Sequence, residues 1–408
     1  MRRALSATAL VLLLAVTLIA ALLGSAAVAQ AAPKSKPARP PSGTKAWTVM
    51  VYLNGDNNLE KYVTLDIERE LSALGSNADL NVVTLADRGP GYDRTRGDWT
   101  TTKLFYCTQG MLADAASAKA DWGERNMGDQ QTLVDFVRYC KTTYPAQRYL
   151  LVFWDHGYCW YPQGWIIKDD TSADTLDLDE QMAALAAVGG VDVIGCDQCQ
   201  MQMMEIADCY RPYAKAVVAS EETVGYSGLD YIPVISAIRA DPALSAQQVA
   251  DTMATTAQGD AATWSSLALD ARFDTLTAAV DQWALALIDG LPAYRSAYAS
   301  ASKKMTHFVE PSEVDLWDAA YEIKLAVPDA TIDARCDAVM SAVESAVTVN
   351  WTSKPQVQAH GVAITWARDI GDLVWRSDVD DWGYYRTVLP FSLQTNWDEF
   401  LAAYTAAP

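Results

Sequence analysis

The chain has 408 residues, half of them hydrophobic, and a formal net charge of −20 at pH 7. This length is enough for a large hydrophobic core, and the acidic balance, with no Lys/Arg cluster in the body of the chain, argues against nucleic-acid binding. A strongly acidic surface favours solubility and basic partners, but it does not define a fold.

The first 29 residues are predicted to be a signal peptide, which implies a secreted or extracytoplasmic protein. A short basic start precedes a nearly continuous apolar run at 4–23, and Ala27-Val28-Ala29 fits the small-residue cleavage site of such segments. The apolar run is also long enough for an uncleaved membrane anchor. We therefore expect no contact with a membrane unless this segment is retained.

Residues 30–46 are rich in proline and basic, which is typical of a disordered linker, and the folded domain is predicted over 47–408. Short apolar runs in this domain are typical of parallel strands that are buried on both faces. The predicted strands are 47–53, 80–85, 149–154, 191–195, 216–219 and 361–366. The helices predicted between them include 130–143 and 178–188.

The alternation of strands and helices predicts an α/β fold with a mostly parallel six-stranded sheet flanked by helices. The sheet core is expected at about 47–230 plus 360–367. From 231 to about 350 the pattern is helical throughout, which predicts a helical C-terminal extension.

Two predicted strands end in residues that can carry chemistry. His156 follows the strand at 149–154, and Cys199 follows the strand at 191–195, where the chain passes into a helix-like segment. Reactive groups in open α/β sheets lie beyond the carboxyl ends of the strands, and one helix-containing crossover separates these two tips. We therefore expect an imidazole and a thiol at the same sheet edge, which is the geometry that a thiol nucleophile and its base need.

The residues around these tips favour a catalytic interpretation. A lone histidine is more often structural, but Gly157 lets the chain turn sharply after His156 and exposes a backbone N–H that can stabilise an oxyanion. The N–H of Cys199 is the second predicted oxyanion donor. A helix N-terminus at Cys199 would lower the pKa of its thiol and favour the thiolate.

The other thiols leave alternatives open. The chain has seven cysteines, and export to an oxidising compartment favours some disulfides together with at least one unpaired thiol, because the count is odd. Cys196 and Cys199 form a CxxC pair, which is alternatively a redox motif or a structural disulfide. Cys159, close to His156 in sequence, competes with Cys199 for the role of nucleophile.

The chain resembles the clostripain family of cysteine peptidases, within the caspase, gingipain and legumain superfamily. The His-Gly and Asp-x-Cys tips are the most specific parts of the resemblance. It implies a caspase-like α/β fold, a catalytic dyad of His156 and Cys199, and cleavage of protein or peptide substrates after Arg or Lys. The stretches that carry it are WTVMVYLNGDNNLE (47–60), YLLVFWDHG (149–157), DVIGCDQCQMQMMEIA (192–207) and SEETVGYSGLDY (220–231).

The resemblance also implies a pocket for the basic side chain of the substrate. Asp197, two residues before the nucleophile, would pair there with a guanidinium or ammonium group. Judged by residue type alone, Asp197 is instead a helix N-cap. Asp230 is a second candidate for the same pocket.

Lys168 lies in the polar loop between the two tips and is the predicted site of self-cleavage. Relatives with a preference for Arg or Lys can be activated by a cut in such a loop. The alternative is an ordinary exposed lysine.

No cofactor is required for this chemistry, and the resemblance allows a structural calcium ion without placing it. The acidic run from Asp170 to Asp179 lacks the glycine and the terminal glutamate of a calcium-binding loop. No zinc spacing or nucleotide-binding motif is present. Asp56, after the first strand, could line the cleft, hold a cation or cap a helix.

Three functions remain in competition at this point. The first is a secreted cysteine endopeptidase that cleaves after Arg or Lys. The second is a catalytically silent binding or adhesion domain on the same fold, against which the presence of both His156 and Cys199 argues. The third is a thiol oxidoreductase that uses Cys196 and Cys199.

Overall fold

The structure is a computed structural model that describes residues 43–256 and 261–406. The predicted signal peptide, and the predicted linker up to residue 42, lie outside these residues. The first strand begins at Lys45, so the end of the predicted linker belongs to the folded domain.

The strands of the described chain are β1 (Lys45–Gly55), β2 (Leu80–Arg88), β3 (Lys103–Tyr106), β4 (Ala120–Asp121), β5 (Ala146–Trp154), β6 (Lys168–Asp169), β7 (Asp174–Thr175), β8 (Val193–Asp197), β9 (Ala216–Ala219), β10 (Thr263–Ala268), β11 (Glu313–Asp315), β12 (Val347–Thr352) and β13 (Ala363–Thr365). Its first helix, α1 (Glu60–Leu65), continues through a π-helical segment (Asp66–Leu71) into a last helical turn (Ser72–Leu74). The later helices are α2 (Gln130–Thr143), α3 (Leu178–Val188), α4 (Met204–Tyr210), α5 (Tyr231–Ala240), α6 (Ala246–Thr256), α7 (Ala271–Ser302), α8 (Leu316–Ala326), α9 (Ala330–Ala346), α10 (Asp381–Val388), α11 (Pro390–Gln394) and α12 (Trp397–Thr405).

Nine strands form the main sheet of the described chain, in the order β12-β10-β9-β8-β5-β1-β2-β3-β4. The five central strands, from β9 to β2, are parallel to one another. Their apolar runs are buried on both faces, which is the reason that they form a parallel sheet rather than a one-sided antiparallel one. The prediction of a mostly parallel sheet flanked by helices is therefore confirmed.

Each face of this sheet packs against its own hydrophobic core, because successive strand residues point to opposite sides. In β1, Met50 and Tyr52 belong to one core, and Val49 and Val51 belong to the other. Residues of α1, α5 and α6 complete the second core, and residues of the other helices complete the first. Even the 32-residue helix α7 lacks an apolar stretch that could cross a membrane, and the same holds for the other described helices.

The sheet extends further than the predicted six strands, and the segment from 231 to 350 is not helical throughout. β10 pairs antiparallel with β9, and β12, which follows α9 without a break, pairs antiparallel with β10. Both are short strands beside long helices, so the helical periodicity around them conceals them in the sequence. The predicted strand at 361–366 exists as β13, but it pairs with β11 in a separate two-stranded sheet.

Candidate active site

His156 and Cys199 line one cleft of about 260 Å³ at the carboxyl edge of the sheet. Their strands, β5 and β8, are parallel neighbours, and Trp154 at the end of β5 pairs in register with Asp197 at the end of β8. Each reactive residue stands two positions beyond its strand, so the register brings the two tips to the same height. The expected meeting of an imidazole and a thiol at one sheet edge is found.

The tip that carries His156 is held by contacts on both sides of the chain. The imidazole Nε2 lies 2.7 Å from Asn58 Oδ1. The backbone amide of His156 donates to Asp155 Oδ1 at 2.6 Å, and its carbonyl accepts from Gln198 Nε2 at 2.7 Å. When Nε2 donates to Asn58, Nδ1 is the nitrogen that is free to accept a proton.

Burial, and next to it the positive charge of Lys168, lower the pKa of His156 below its usual value. Burial disfavours the charged form of an imidazole, and a nearby cation does the same. The ring is therefore largely neutral near pH 7, which is the form that a general base needs.

Asp155 connects the tip that carries His156 to the end of β1. It is buried, and its carboxylate accepts hydrogen bonds from Asn54 Nδ2 at 2.5 Å and from Asn57 Nδ2 at 2.8 Å. Both asparagines belong to the end of β1 and the turn that follows it. In the sequence these residues look like an ordinary turn and helix start, and only the parallel pairing of β1 with β5 brings them beside His156.

The thiol of Cys199 contacts the backbone of Val224. Val224 N donates to Sγ at 3.3 Å, and Sγ lies 3.6 Å from the Val224 carbonyl oxygen. Burial raises the pKa of Cys199, although the Val224 amide acts against this shift. The expected lowering by a helix N-terminus is wrong, because α4 begins only at Met204 and a loop separates it from Cys199.

Gly157 packs closely against the tip that carries Cys199. A Cβ atom at this position would lie 2.5 Å from the Cys199 carbonyl oxygen and 2.9 Å from Gln198 Cβ. The absence of a side chain is therefore required for this packing. It places the Gly157 backbone directly beside the segment that carries the thiol.

Asp197 lines the same cleft with a carboxylate that is only 6% exposed. It accepts from Tyr231 Oη at 2.8 Å and from Leu229 N at 3.0 Å. Burial raises the pKa of Asp197 to about 6, although these two hydrogen bonds lower it. The helix-capping alternative is wrong, because the N-cap of α4 is Met203.

The surroundings of Asp197 are acidic. The pKa of Asp66 is raised well above its usual value, first by burial and then by the charge of Asp197. No ion pair of the described chain includes Asp197 or Asp66. A cationic side chain that entered the cleft would meet a carboxylate without a competing protein cation.

Asp230 has a different position from Asp197. Its Oδ1 accepts from Ile232 N at 3.0 Å, so it is the N-cap of α5, and it does not belong to the residues that line the cleft. It contacts Glu70, whose pKa is raised to about 7 by burial and by this neighbour. A direct contact of Asp230 with substrate remains a prediction.

Lys168 lies in β6, in a short antiparallel pair with β7. Its carbonyl oxygen accepts from the side-chain amides of Asn54 at 2.8 Å and Asn57 at 2.9 Å. Its Nζ lies 2.6 Å from a carboxylate oxygen of Asp170 and 5.4 Å from the centre of the Trp165 ring. The peptide group after Lys168 is thus tied to the asparagines that hold Asp155.

The remaining thiols near the site are poor rivals of Cys199. Burial raises the pKa of Cys196 to about 12, and burial and Glu313 raise that of Cys159 well above its usual value. Neither residue lines the cleft. All seven cysteines lie within the described residues and none of them forms a disulfide there, so the expectation of disulfides is wrong and the CxxC pair is reduced.

Among the described residues, the one group that could hold a metal ion does not line the cleft. Asp56, Asp87 and Asp169 converge near the carboxyl ends of β1 and β2, and all three are buried. Asp56 neither lines the cleft nor caps α1, whose N-cap is Leu59.

A sequence model of the clostripain family matches residues 51–404. Clostripain from Hathewaya histolytica is 30% identical over 224 residues, which are 47% of this chain and 42% of that protein, so the match spans less than half of this relative. A secreted C11 cysteine protease from Bacteroides thetaiotaomicron, solved with an irreversible peptide inhibitor, is 18% identical with a TM-score of 0.63 over 86% of this chain and 99% of that chain. An inactive zymogen C11 protease from Parabacteroides distasonis is 19% identical with a TM-score of 0.61 over 85% of this chain and 99% of that chain. These two likenesses establish the fold.

Proposed function

The chain belongs to the clostripain family of cysteine peptidases, and from this premise we propose that it is an endopeptidase that cleaves protein or peptide substrates after Arg or Lys. Cys199 is the nucleophile and His156 is the general acid and base. The observation that carries the proposal is a single cleft lined by the thiol, the imidazole and the buried carboxylate of Asp197.

The resting pair is a neutral thiol beside a neutral imidazole. Burial raises the pKa of Cys199 and lowers that of His156, so both shifts oppose a preformed thiolate–imidazolium pair. The proton passes from Sγ to the imidazole when the substrate carbonyl is in place, and Sγ forms a bond to the carbonyl carbon. The backbone N–H groups of Gly157 and Cys199 stabilise the oxyanion that results.

The same imidazole then completes the reaction. The imidazolium of His156 gives its proton to the leaving amine as the peptide bond breaks, which leaves a thioester on Cys199. His156 next removes a proton from water, the hydroxide attacks the thioester carbonyl, and the thiol is restored. The steps use only side chains and backbone amides of this chain, so no cofactor takes part.

Asp197 supports the preference for a basic residue before the cleaved bond. A buried carboxylate without a protein cation attracts a guanidinium or ammonium group strongly, because the surroundings screen the charge poorly. Arg can make two parallel hydrogen bonds to a carboxylate, whereas Lys offers a single charged group.

Self-cleavage after Lys168 is part of the proposal. The residue before the bond is basic, as the proposed specificity requires, and one solved relative is described as an inactive zymogen. Cutting this bond would release the Lys168 carbonyl from Asn54 and Asn57. Mass spectrometry of the purified chain should find a new N-terminus at Asp169 in the wild type, and none in Cys199→Ala or Lys168→Ala; an intact wild-type chain with full activity would disprove it.

Secretion rests on the predicted signal peptide, and a relative that is described as secreted supports it. Expression with the complete N-terminus should give a mature protein in the medium or outside the cytoplasm that begins at Gln30. A mature protein that still begins at Met1 would indicate a retained anchor.

The activity is tested with fluorogenic peptides that carry Arg, Lys or a neutral residue before the cleaved bond, under reducing conditions and with both intact and cleaved chain. Cys199→Ala and His156→Ala should each lower the rate by at least about a thousandfold, and Cys196→Ala should retain it. Equal losses in Cys199→Ala and Cys196→Ala would favour redox chemistry. Absence of turnover by the wild type would favour a silent binding domain.

A further inference from the structure

Two tyrosine rings stack against each other in the cleft that carries the proposed nucleophile. Tyr62 belongs to α1 and Tyr226 to the segment after β9, and their ring centroids lie 5.1 Å apart with an interplanar angle of 11°. Both residues line the cleft together with Cys199 and Asp197. Tyr62 is half-buried, whereas Tyr226 is 62% exposed, so the aromatic pair, Tyr62 and Tyr226, offers an apolar surface to solvent.

The segment that carries Tyr226 contacts both the thiol and the buried carboxylate. Two residues before the ring, Val224 N donates to Cys199 Sγ at 3.3 Å. Two residues after it, the backbone packs on Asp197, because a Cβ atom at Gly228 would lie 2.8 Å from both carboxylate oxygens. The φ of 56° at Gly228 is also one that favours glycine. The exposed ring therefore lies between the contact with the thiol and the contact with the carboxylate.

The other ring of the pair comes from the element that supports the imidazole. Tyr62 lies one helical turn after Asn58, whose side chain contacts His156 Nε2 at 2.7 Å. Leu59, in the same turn, is half-buried and adds an aliphatic side chain to the lining of the cleft. The aromatic pair thus joins the segment beside the imidazole to the segment beside the thiol, and an apolar wall in a cleft is a common feature of ligand sites.

A cation of the protein itself already faces this pair. Lys61 Nζ lies 4.9 Å from the centroid of the Tyr62 ring and 5.7 Å from that of Tyr226. Such contacts use the attraction of an aromatic face for positive charge. No ion pair of the described chain includes Lys61. Its charge therefore disfavours a second cation at the rings and leaves an uncharged apolar group as the better occupant.

An extended substrate would bring one particular side chain to the aromatic pair. Successive side chains of an extended peptide point to opposite sides. The basic side chain is proposed to reach inwards to Asp197, which is only 6% exposed. The side chain of the residue directly before it then points outwards, towards the mouth of the cleft, where Tyr226 is exposed.

We propose that Tyr62 and Tyr226 form a specificity site for an apolar or aromatic side chain directly before the basic residue of the substrate, and that Lys61 discriminates against a second basic residue there. An aromatic ring or a leucine side chain would cover the exposed surface of Tyr226 and remove apolar area from water. The inference rests on the proposed cleavage after Arg or Lys and narrows the class of substrates.

The test compares fluorogenic peptides that share an Arg before the cleaved bond and differ only in the residue directly before this Arg, which is Phe, Leu, Gly or Lys. For the wild-type chain, kcat/KM should be at least about tenfold higher with Phe or Leu than with Gly. It should be no higher with Lys than with Gly. Equal kcat/KM for the Phe and Gly peptides, or a preference for the Lys peptide, would overturn the proposal.

Variants then assign the selection to the aromatic pair. Tyr226→Ser should lower the ratio of kcat/KM for the Phe peptide to that for the Gly peptide at least about fivefold, whereas Tyr226→Phe, which keeps the ring, should retain it. Tyr92→Ser changes an exposed tyrosine outside the cleft and should also retain it. Circular dichroism checks that each variant is folded. An unchanged ratio in folded Tyr226→Ser would overturn the proposal.

The discrimination against a second basic residue is tested at Lys61. Lys61→Met removes the charge and keeps an apolar stem, so it should raise kcat/KM for the Lys peptide about fivefold and leave that for the Gly peptide unchanged. An equal effect of this variant on both peptides would contradict the role of Lys61.

Peptide binding separates this inference from the proposed activity. The full chain with Cys199→Ala should bind the labelled Phe peptide with a Kd at least about tenfold lower than that of the Gly peptide, as measured by fluorescence anisotropy. Selective binding without turnover by the wild type would refute the peptidase and support the specificity site. Turnover without discrimination would refute the specificity site alone, and equal Kd values without turnover would refute both.

Discussion

The imidazole of His156 contacts Asn58, an exposed residue of the turn after β1, whereas the adjacent Asp155 contacts the backbone amide. A hydrogen bond to Nε2 fixes both the tautomer and the ring orientation. If His156 is the general acid and base that we propose, Asn58 is a positioning residue that acts through the imidazole.

Asn58→Ala should lower kcat about tenfold and leave KM almost unchanged, because the imidazole loses orientation and not charge. Asn58→Asp retains an acceptor for Nε2 and should recover most of the rate, with an acid limb shifted to higher pH by the added carboxylate. Steady-state kinetics across pH measure both effects. Equal losses in the two variants, with unchanged Tm, would contradict this role.

The pKa of Asp197, raised to about 6 by burial, would give the proposed specificity for a basic residue a pH dependence of its own. Below this pH the carboxyl is protonated and no longer attracts a cation. The ratio of kcat/KM for an Arg substrate to that for its neutral citrulline analogue should fall about tenfold from pH 7 to pH 5. His156 and Cys199 act on both substrates, so their protonation changes both rates by the same factor and does not affect the ratio.

Asp197→Asn supplies the control for this prediction. It should lower kcat/KM for the Arg substrate by about a hundredfold, since a charge-assisted hydrogen bond is lost, and affect the citrulline substrate little. The ratio should then be flat with pH. A ratio that still falls in the variant would assign the titration to another group.

At the scale of elements, the site depends on the packing of the two strand tips against each other. Gly157→Ala adds a Cβ 2.5 Å from the Cys199 carbonyl oxygen, so the tips must separate. We expect kcat/KM to fall by at least about a hundredfold, with a loss of about 1–3 kcal/mol in stability. Gly110→Ala, where the space is open, should lose stability through its positive φ but keep its activity.

Elements with a strong local pattern could be predicted from sequence, and those defined by distant partners could not. Helices α2 and α3 and the five central strands follow from apolar periodicity and buried runs. The pattern does not reveal β10 or the edge strand β12, because a strand of six residues beside a long helix has no signal of its own. The residues of β13 are predicted correctly, but its place in the main sheet is not, because the sequence of one strand does not reveal its partner.

In the candidate site, too, features with a local sequence pattern could be predicted and features that depend on distant partners could not. The tips that carry His156 and Cys199 could be identified because reactive residues follow buried apolar runs. Their supports could not, because Asn54, Asn57 and Asn58 look like turn residues until β1 is known to lie beside β5. The pKa of Cys199 was expected to shift in the wrong direction, because the start of α4 was placed five residues too early.

At the scale of the whole molecule, buried carboxyls make stability depend on pH. Glu313 of β11 accepts from Gln200 Nε2 at 2.9 Å and lies 3.3 Å from Cys159 Sγ, and burial raises its pKa well above the usual value. In the folded chain it therefore keeps its proton above the pH at which the unfolded chain releases it.

The direction in which stability changes with pH follows from the number of protons that the folded and unfolded states bind. Above the unfolded pKa of about 4.3, the folded state binds one proton more than the unfolded state, so the free energy of unfolding falls by about 1.4 kcal/mol per pH unit until the folded pKa is reached. Glu313→Gln should remove this contribution and flatten the decline above pH 5 in urea unfolding. The exposed Glu344→Gln should leave the decline unchanged, and a steeper decline in Glu313→Gln would contradict the assignment.

The parallel direction of β1 and β5 also decides which way the enzyme faces when it is tethered. Lys45, where β1 starts, pairs with Ala146, the first residue of β5, so this end of the sheet is opposite the cleft. Eleven residues of extended strand separate the two ends of β1 by roughly 30 Å. A cell-surface tether, an affinity tag or an immobilising bead joined ahead of Lys45 is therefore attached at the end of the sheet opposite the cleft. The cleft then stays accessible to large protein substrates.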